Sequence, residues 1–229
     1  MKTAAAPPPV RPLHIGRVVR NARVFNFRNP RGEALSDSAL LDAVTRLFRL
    51  LEERRVDYLL VGGIAVLQYV EGRNTEDIDL VVPPAILEAV PEIEIMGQDG
   101  DFRRGSFEGL QVDLLLTSHP LFAEVRRRHA TRQRFVEREI PCATVEGLLV
   151  LKLFALPSLY RQGDLVRVAL YETDVLSLID RYRPPMEPLF AELKAHLLET
   201  DLAEVHRIVG EIQQKIERFD RGPGRSGPA

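Results

Sequence analysis

The sequence predicts an α+β chain: a mixed sheet with flanking helices, followed by a helical C-terminal part. Three observations carry this. Apolar runs of strand length at Tyr58–Val61 and Asp77–Val82 alternate with helical stripes. Phe102–Phe107 and Leu110–Leu116 read as a hairpin around Glu108-Gly109. From Val145 onward the apolar residues recur at helical spacing only.

Taken in order, residues 1–16 include the run Ala4-Ala5-Ala6-Pro7-Pro8-Pro9 and read as a disordered tail. Val19, Val24, Phe25 and Phe27 alternate weakly, which predicts an extended arm or an edge hairpin over 17–27. Ser36 or Asp37 is the candidate N-cap of a helix ending near Arg55, with Leu40, Val44, Leu47 and Leu51 on one stripe. The strand Tyr58–Val61 leads into a helix that opens at Gly63 and runs to about Val70. A loop over 71–76 precedes the strand Asp77–Val82, which ends at Pro83-Pro84 because proline cannot continue a ladder.

A short helix over 85–90 and the hairpin follow. Next come a helix over Pro120–Arg128 and one strand around Gln133–Ile140. Helices are expected over Val145–Leu156 and Asp164–Tyr182, then after the break at Pro184-Pro185, where Leu189, Leu193 and Leu197 mark the stripe. The last helix carries Leu202, Val205, Val209, Ile212, Ile216 and Phe219. This divides the chain into a tail (1–16), a sheet domain with its N-terminal arm (17–142), a helical part (143–221) and a disordered tail (222–229).

Composition narrows the chemistry. The chain has 229 residues, 45% hydrophobic and 28% charged, which is ordinary for a globular protein. A net charge of −2 supplies no overall basic field for nucleic acid. The single cysteine, Cys142, excludes an intrachain disulfide and a four-cysteine zinc site, and fits a reducing, cytoplasmic setting. The longest apolar run, Gly147–Leu156, is interrupted by Lys152 and is too short to span a bilayer. No signal-peptide pattern is present, so no membrane partner is expected. A monomer is the expected state.

The informative stretch is Asp57–Val82. A Gly62-Gly63 pair between strand and helix lets the backbone approach a phosphate, with helix N–H groups pointing at it; a tight turn needs the same glycines. On the following strand Asp77 and Asp79 share one face, roughly 7 Å apart, Cα to Cα. Ile78, Leu80 and Val82 make the other face apolar, so this strand is a poor candidate for a solvated surface. Asp113, in the otherwise apolar strand Leu110–Leu116, would join them if the two strands are neighbours. Clustered carboxylates call for a cation, and Mg²⁺ takes oxygen ligands.

Lys152 shares a helical stripe with Val145, Leu149 and Leu156; it either snorkels or meets an anion. Asp174 reads as a partner for Lys152 or as an exposed helix residue, and Arg161 is similarly open. Arg73 and Thr75 read as turn chemistry or as the site entrance. The basic run Arg126-Arg127-Arg128-His129, with Arg132 and Arg134, suits a solvated helix end better than an RNA track. His119 and His129 lack metal-ligand spacing.

The run Val61-Gly62-Gly63, followed after thirteen residues by Asp77-Ile78-Asp79-Leu80, resembles the signature of the DNA polymerase β-like nucleotidyltransferase superfamily. Arg73-x-Thr75-x-Asp77-Ile78-Asp79 is similar to its minimal AbiEii/AbiGii toxin-like branch. The resemblance covers roughly residues 56–180. It implies a polymerase β-like mixed sheet and metal-dependent transfer of NMP from an NTP to an acceptor hydroxyl, with two Mg²⁺ ions or Mn²⁺ in their place. Asp77, Asp79 and Asp113 would be the metal-binding and catalytic residues. Gly62, Gly63, Arg73, Thr75 and Lys152 would bind the nucleotide, ATP among the candidates, with Arg161 and Asp174 as further contacts. Gly63 stands where many members have Ser. The branch implies a tRNA acceptor and a cognate antitoxin. A small-molecule adenylyltransferase of the aminoglycoside type, and a non-catalytic nucleotide-binding or antitoxin-type subunit, are the alternatives.

Overall fold

The computed structural model describes residues 12–24, 37–73 and 75–220. Its elements are α1 (Ile15–Val24), α2 (Asp37–Glu53), β1 (Leu59–Val61), α3 (Gly62–Val66), β2 (Asp77–Val82), α4 (Ile86–Ala89), β3 (Glu94–Asp99), β4 (Phe102–Phe107), β5 (Leu110–Leu116), α5 (Pro120–Arg128), β6 (Ala130–Arg134), β7 (Glu139–Ala143), α6 (Val145–Gln162), α7 (Leu165–Tyr182), α8 (Met186–Leu193) and α9 (Glu199–Asp220). The strands form one seven-stranded mixed sheet in the order β3-β4-β5-β2-β1-β7-β6. The chain is therefore α+β, with helices alone after β7.

Two parallel pairings set the centre of the sheet. β2 lies parallel to β5 and β1 parallel to β7, while the remaining neighbours are antiparallel. Register pairs Ile78 with Val112, Leu80 with Leu114 and Val82 with Leu116. All six are buried and form one apolar face. α2 packs at β5, its stripe Leu40, Val44, Leu47 and Leu51 buried. Such side chains contribute roughly 1.5–3 kcal/mol each on burial.

Local signals explain the helix boundaries around the second, polar face. Thr144 caps α6 by accepting from the Gly147 amide at 3.3 Å, and Gly163 ends it with φ 69°. Asp164 then caps α7, accepting from Arg167 N at 3.1 Å. His119 caps α5 through Nδ1, with Pro120 in its first turn and Arg126, Arg127 and Arg128 in its last.

Several sequence expectations need correction. The stretch at 17–24 is neither an extended arm nor an edge hairpin but lies in helix α1, and residues 12–16, assigned to a tail, are also ordered. Ile15, Val19 and Ala22 are buried at helical spacing, and that stripe outweighs the weak alternation. α6 continues past Leu156 through Pro157, because burying Leu156 and Leu159 outweighs one lost backbone bond. The strand expected at 133–140 is a hairpin of β6 and β7, closed by Phe135 N donating to Arg138 O at 2.8 Å. α3 stops at Val66, and the chain continues to Val70 as turns. β3 was not expected: it is an exposed edge strand containing Gly97, without alternation. Phe219 leaves the α9 stripe and is 76% exposed. The tail readings at 1–11 and 222–229, the arm at 25–27 and the Ser36 cap lie outside the described residues. Among those residues, no helix is long and apolar enough to cross a membrane.

Candidate active site

A cleft of about 1230 Å³ opens over the polar face of β2 and β5. Alternation turns Asp77 and Asp79 to the side opposite Ile78 and Leu80, and Gln111, Asp113 and Leu115 to the same side. The parallel register sets Asp79 directly beside Asp113 and Asp77 beside Gln111. One oxygen from each of Asp77, Asp79 and Asp113 lies within 4.8 Å of the others. Among the described residues no other such group of acidic, His or Cys ligands occurs.

The neighbours orient these carboxylates. Thr75 Oγ1 donates to Asp77 Oδ1 at 2.7 Å, and the Gly63 amide donates to Asp79 Oδ2 at 3.3 Å. Burial, and then the charges of Asp77 and Asp113, push the Asp79 carboxyl up to about 8. Asp113 is also raised, chiefly by burial, against the opposing pull of Arg104. Three carboxylates this close cannot all ionise comfortably without a cation. An all-oxygen donor set fits a hard divalent ion such as Mg²⁺ or Mn²⁺.

The glycine pair makes room for this arrangement. Gly62 has φ 63°, and a Cβ there would overlap the Asp79 carboxylate. A Cβ on Gly63 would come within 2.5 Å of Thr75 Oγ1 and 2.6 Å of Arg73 Nη1. The absence of Ser at 63 therefore has a local cause: Arg73 and Thr75 occupy the space. α3 is only five residues long, and the amide of Gly63 already serves Asp79, so the glycines' visible role is steric.

Lys152 and Asp174 face each other across α6 and α7. Lys152 Nζ lies 2.6 Å from Asp174 Oδ2 and 4.2 Å from the Tyr171 ring centroid. Arg73 Nη1 reaches the same Asp174 oxygen at 3.3 Å. All three side chains are at least nine-tenths buried. Burial lowers the Lys152 pKa, while Asp174 opposes the shift. Lys152 therefore meets an anion rather than snorkelling, and Asp174 is not an exposed helix residue. Arg161 sits at the cleft rim in an ion pair with Asp201 at 2.5 Å.

The basic run at the end of α5 is internally balanced. Arg126 pairs with Asp57, Arg128 with Glu124 at 2.7 Å, and His129 with Glu192 at 3.0 Å. This supports its reading as a helix end. Cys142 is buried in β7, where burial pushes the thiol up to about 12.

Among the cleft residues that the sequence did not single out are Arg104 and Tyr171, while Gln111 is expected on the Asp113 face of its strand. A signal for Arg104 existed. A hairpin turning at Glu108-Gly109 pairs Phe107 with Leu110, and the same count pairs Arg104 with Asp113. Gln111 lies one alternation before Asp113. Tyr171 had no signal, because its place depends on how α7 docks.

No protein-family model matches the chain, and no curated protein matches it. Among solved structures it is similar to an antigenic nucleotidyltransferase-like protein from Paracoccidioides brasiliensis, at 19% identity over 77% of this chain and 91% of that one, with a TM-score of 0.49. It is also similar to ANT(2″)-Ia in complex with adenylyl-2″-tobramycin, at 12% identity over 70% and 97% of the two chains, with a TM-score of 0.47. A third is the lincosamide antibiotic adenylyltransferase LnuA with lincomycin bound, at 19% identity over 48% and 83%, with a TM-score of 0.39. The chemical reading rests on this chain's own residues.

Proposed function

We propose that this protein is a metal-dependent nucleotidyltransferase that moves NMP from an NTP to an acceptor hydroxyl and releases pyrophosphate. The observation that carries this is the convergence of Asp77, Asp79 and Asp113 on two adjacent parallel strands, each offering an oxygen within 4.8 Å of the others. These three residues would hold two Mg²⁺ ions, or Mn²⁺. The ions would supply charge neutralisation for the phosphoryl oxygens. Asp113 would also help take the proton of the acceptor hydroxyl. The sheet part (17–142) brings the carboxylates and the helical part (143–221) brings Lys152 and Asp174.

Gly62, Gly63, Arg73, Thr75 and Lys152 form the nucleotide side of the site in this reading. Arg73 supports it: the side chain is nine-tenths buried, lines the cleft, and leaves Nε without a hydrogen-bond partner. A triphosphate oxygen would meet that need. Arg161 and Asp174 act indirectly, through Asp201 and Lys152 respectively. Catalysis then comes mainly from positioning and electrostatics.

For the acceptor, the resemblance to toxin-like enzymes points to a tRNA end, with an antitoxin as regulator. One observation favours a small-molecule hydroxyl instead. Each Lys and Arg lining the cleft (Arg73, Arg104, Lys152, Arg161 and Arg167) has a carboxylate within 4.0 Å. Beyond the nucleotide side, such a lining offers little uncompensated charge to the long phosphate backbone of an RNA acceptor.

The test incubates each labelled NTP and Mg²⁺ with the protein and, separately, total RNA, protein, an aminoglycoside mixture, or no acceptor. Label transfer that is lost in folded Asp77→Ala supports the enzyme reading. Label in tRNA selects the RNA acceptor, and label in the aminoglycosides selects the small molecule. Transfer retained by Asp77→Ala removes the metal-site assignment. NTP binding without transfer to any acceptor leaves the non-catalytic subunit.

A further inference from the structure

Arg104 stands in one cross-strand row with two of the carboxylates. β4 pairs it with Asp113, and β5 pairs Asp113 with Asp79. Residues directly opposite in a sheet project to the same side, with Cβ atoms about 4.5–5.5 Å apart. Arg104 uses this position fully: Nε donates to Asp113 Oδ1 at 3.3 Å and Nη2 to Oδ2 at 3.5 Å. Gln111 Nε2 adds a donor to Oδ1 at 3.3 Å.

Both oxygens of Asp113 are therefore engaged by the protein, and one of the donors is a full positive charge. The Gly62–Gly63 turn flanks Asp79 from β1, so Arg104 closes the opposite end of the row. Its exposure contrasts with that of Lys152. The Lys152 side chain is 5% exposed and paired with Asp174 in the cleft wall, whereas that of Arg104 is 41% exposed and has the Phe102 ring 5.9 Å away. A guanidinium so placed can leave the carboxylate and remain near an aromatic face.

We propose that Arg104 is the resident counter-cation of this site: it holds Asp113 while no divalent ion is bound, and competes with the ion for that carboxylate. This rests on the metal reading above. The reason is electrostatic. The guanidinium and a divalent ion seek the same oxygen lone pairs, and their like charges repel at this range. Binding an ion at the third carboxylate thus requires Arg104 to turn away. Arg104 is a positioning residue that acts through Asp113.

The test titrates Mn²⁺ into the full chain and reads free Mn²⁺ by electron paramagnetic resonance. It compares wild type with Arg104→Gln, Arg104→Lys and Asp79→Asn, each checked for folding by circular dichroism and melting. Arg104→Gln is expected to bind Mn²⁺ more tightly, with Kd on the order of tenfold lower, because one opposing charge is gone. Arg104→Lys keeps the charge and should stay within about threefold of wild type. If Arg104→Gln fails to fold, Arg104→Met serves in its place. Unchanged or weaker Mn²⁺ binding by the folded neutral variant overturns the proposal. The metal reading still stands in that case if wild type binds Mn²⁺ and Asp79→Asn does not. A wild-type chain that binds no Mn²⁺ overturns both.

Discussion

Asp79 and Asp113 lie directly opposite each other on the parallel pair β2–β5, although they are 34 residues apart in sequence. With Asp77 they bring three carboxylate oxygens within 4.8 Å. A single strand could only space Asp77 and Asp79 two residues apart; the second strand converts a pair into a three-oxygen site.

Asp79→Asn should therefore remove metal binding and lower nucleotide transfer by about 10²–10⁴-fold, the range for losing a preorganised electrostatic group. Its fold should survive, since the substitution relieves crowded charge. Mn²⁺ titration beside single-turnover kinetics checks both. Wild-type turnover by a variant that no longer binds Mn²⁺ would refute the link between ion and activity.

The pH dependence of the metal-free protein follows from the same residue. Asp79 is raised from 3.8 to about 8 when folded. Between those values the folded protein keeps a proton that the unfolded chain has released. The group's stabilising contribution is thus complete below its unfolded pKa and is lost as pH rises through its folded one, at up to about 1.4 kcal/mol per pH unit. In EDTA the melting temperature should fall from pH 5 to pH 8. Asp79→Asn should flatten the fall, and Mg²⁺ should restore wild type alone. A flat wild-type profile in EDTA counts against the crowding.

Gly62→Ala should damage the site more than Gly63→Ala. Residue 62 needs φ 63° and its Cβ would overlap the Asp79 carboxylate. The strained backbone costs about 1–2 kcal/mol before the clash is counted. At residue 63 the Arg73 and Thr75 side chains have to yield. Urea melts and Mn²⁺ affinity of both variants test the order; a Gly62→Ala protein with wild-type affinity would contradict it.

Lys152 and Asp174 should respond as a buried pair. Asp174→Asn leaves Lys152 and Arg73 facing each other without their shared counter-charge, and should cost about 3–5 kcal/mol. The double change Lys152→Met with Asp174→Leu should cost less than Asp174→Asn alone. Denaturant unfolding measures both. Lys152→Ala should in addition weaken NTP binding, read by calorimetry in Mg²⁺; unchanged affinity would remove Lys152 from the phosphate side.

Much of the sheet was legible because its signals are local. The period-two pattern of Asp77–Val82 and the hairpin Phe102–Leu116 place their side chains without reference to distant elements. The starts of α6 and α7 were legible for the same reason, from helical apolar spacing. The misreadings fell where a local cue was weaker than long-range packing. α1 was hidden in a weak alternation, α6 ran through Pro157 to bury Leu159, and β3 offered no pattern to read.

The sequence alone determined the chemistry that each element could carry: a two-glycine turn, two carboxylates on one strand face, a third on another strand, and a lysine on an apolar helix stripe. Alternation and helical periodicity are enough for that, since they depend on neighbours along the chain. Only the tertiary structure decided which of these groups meet. Parallel pairing of β2 with β5 placed Asp113 beside Asp79, and the docking of α7 on α6 gave Lys152 to Asp174. Sheet order and helix docking are set by how the whole apolar surface is buried, and no local spacing encodes that.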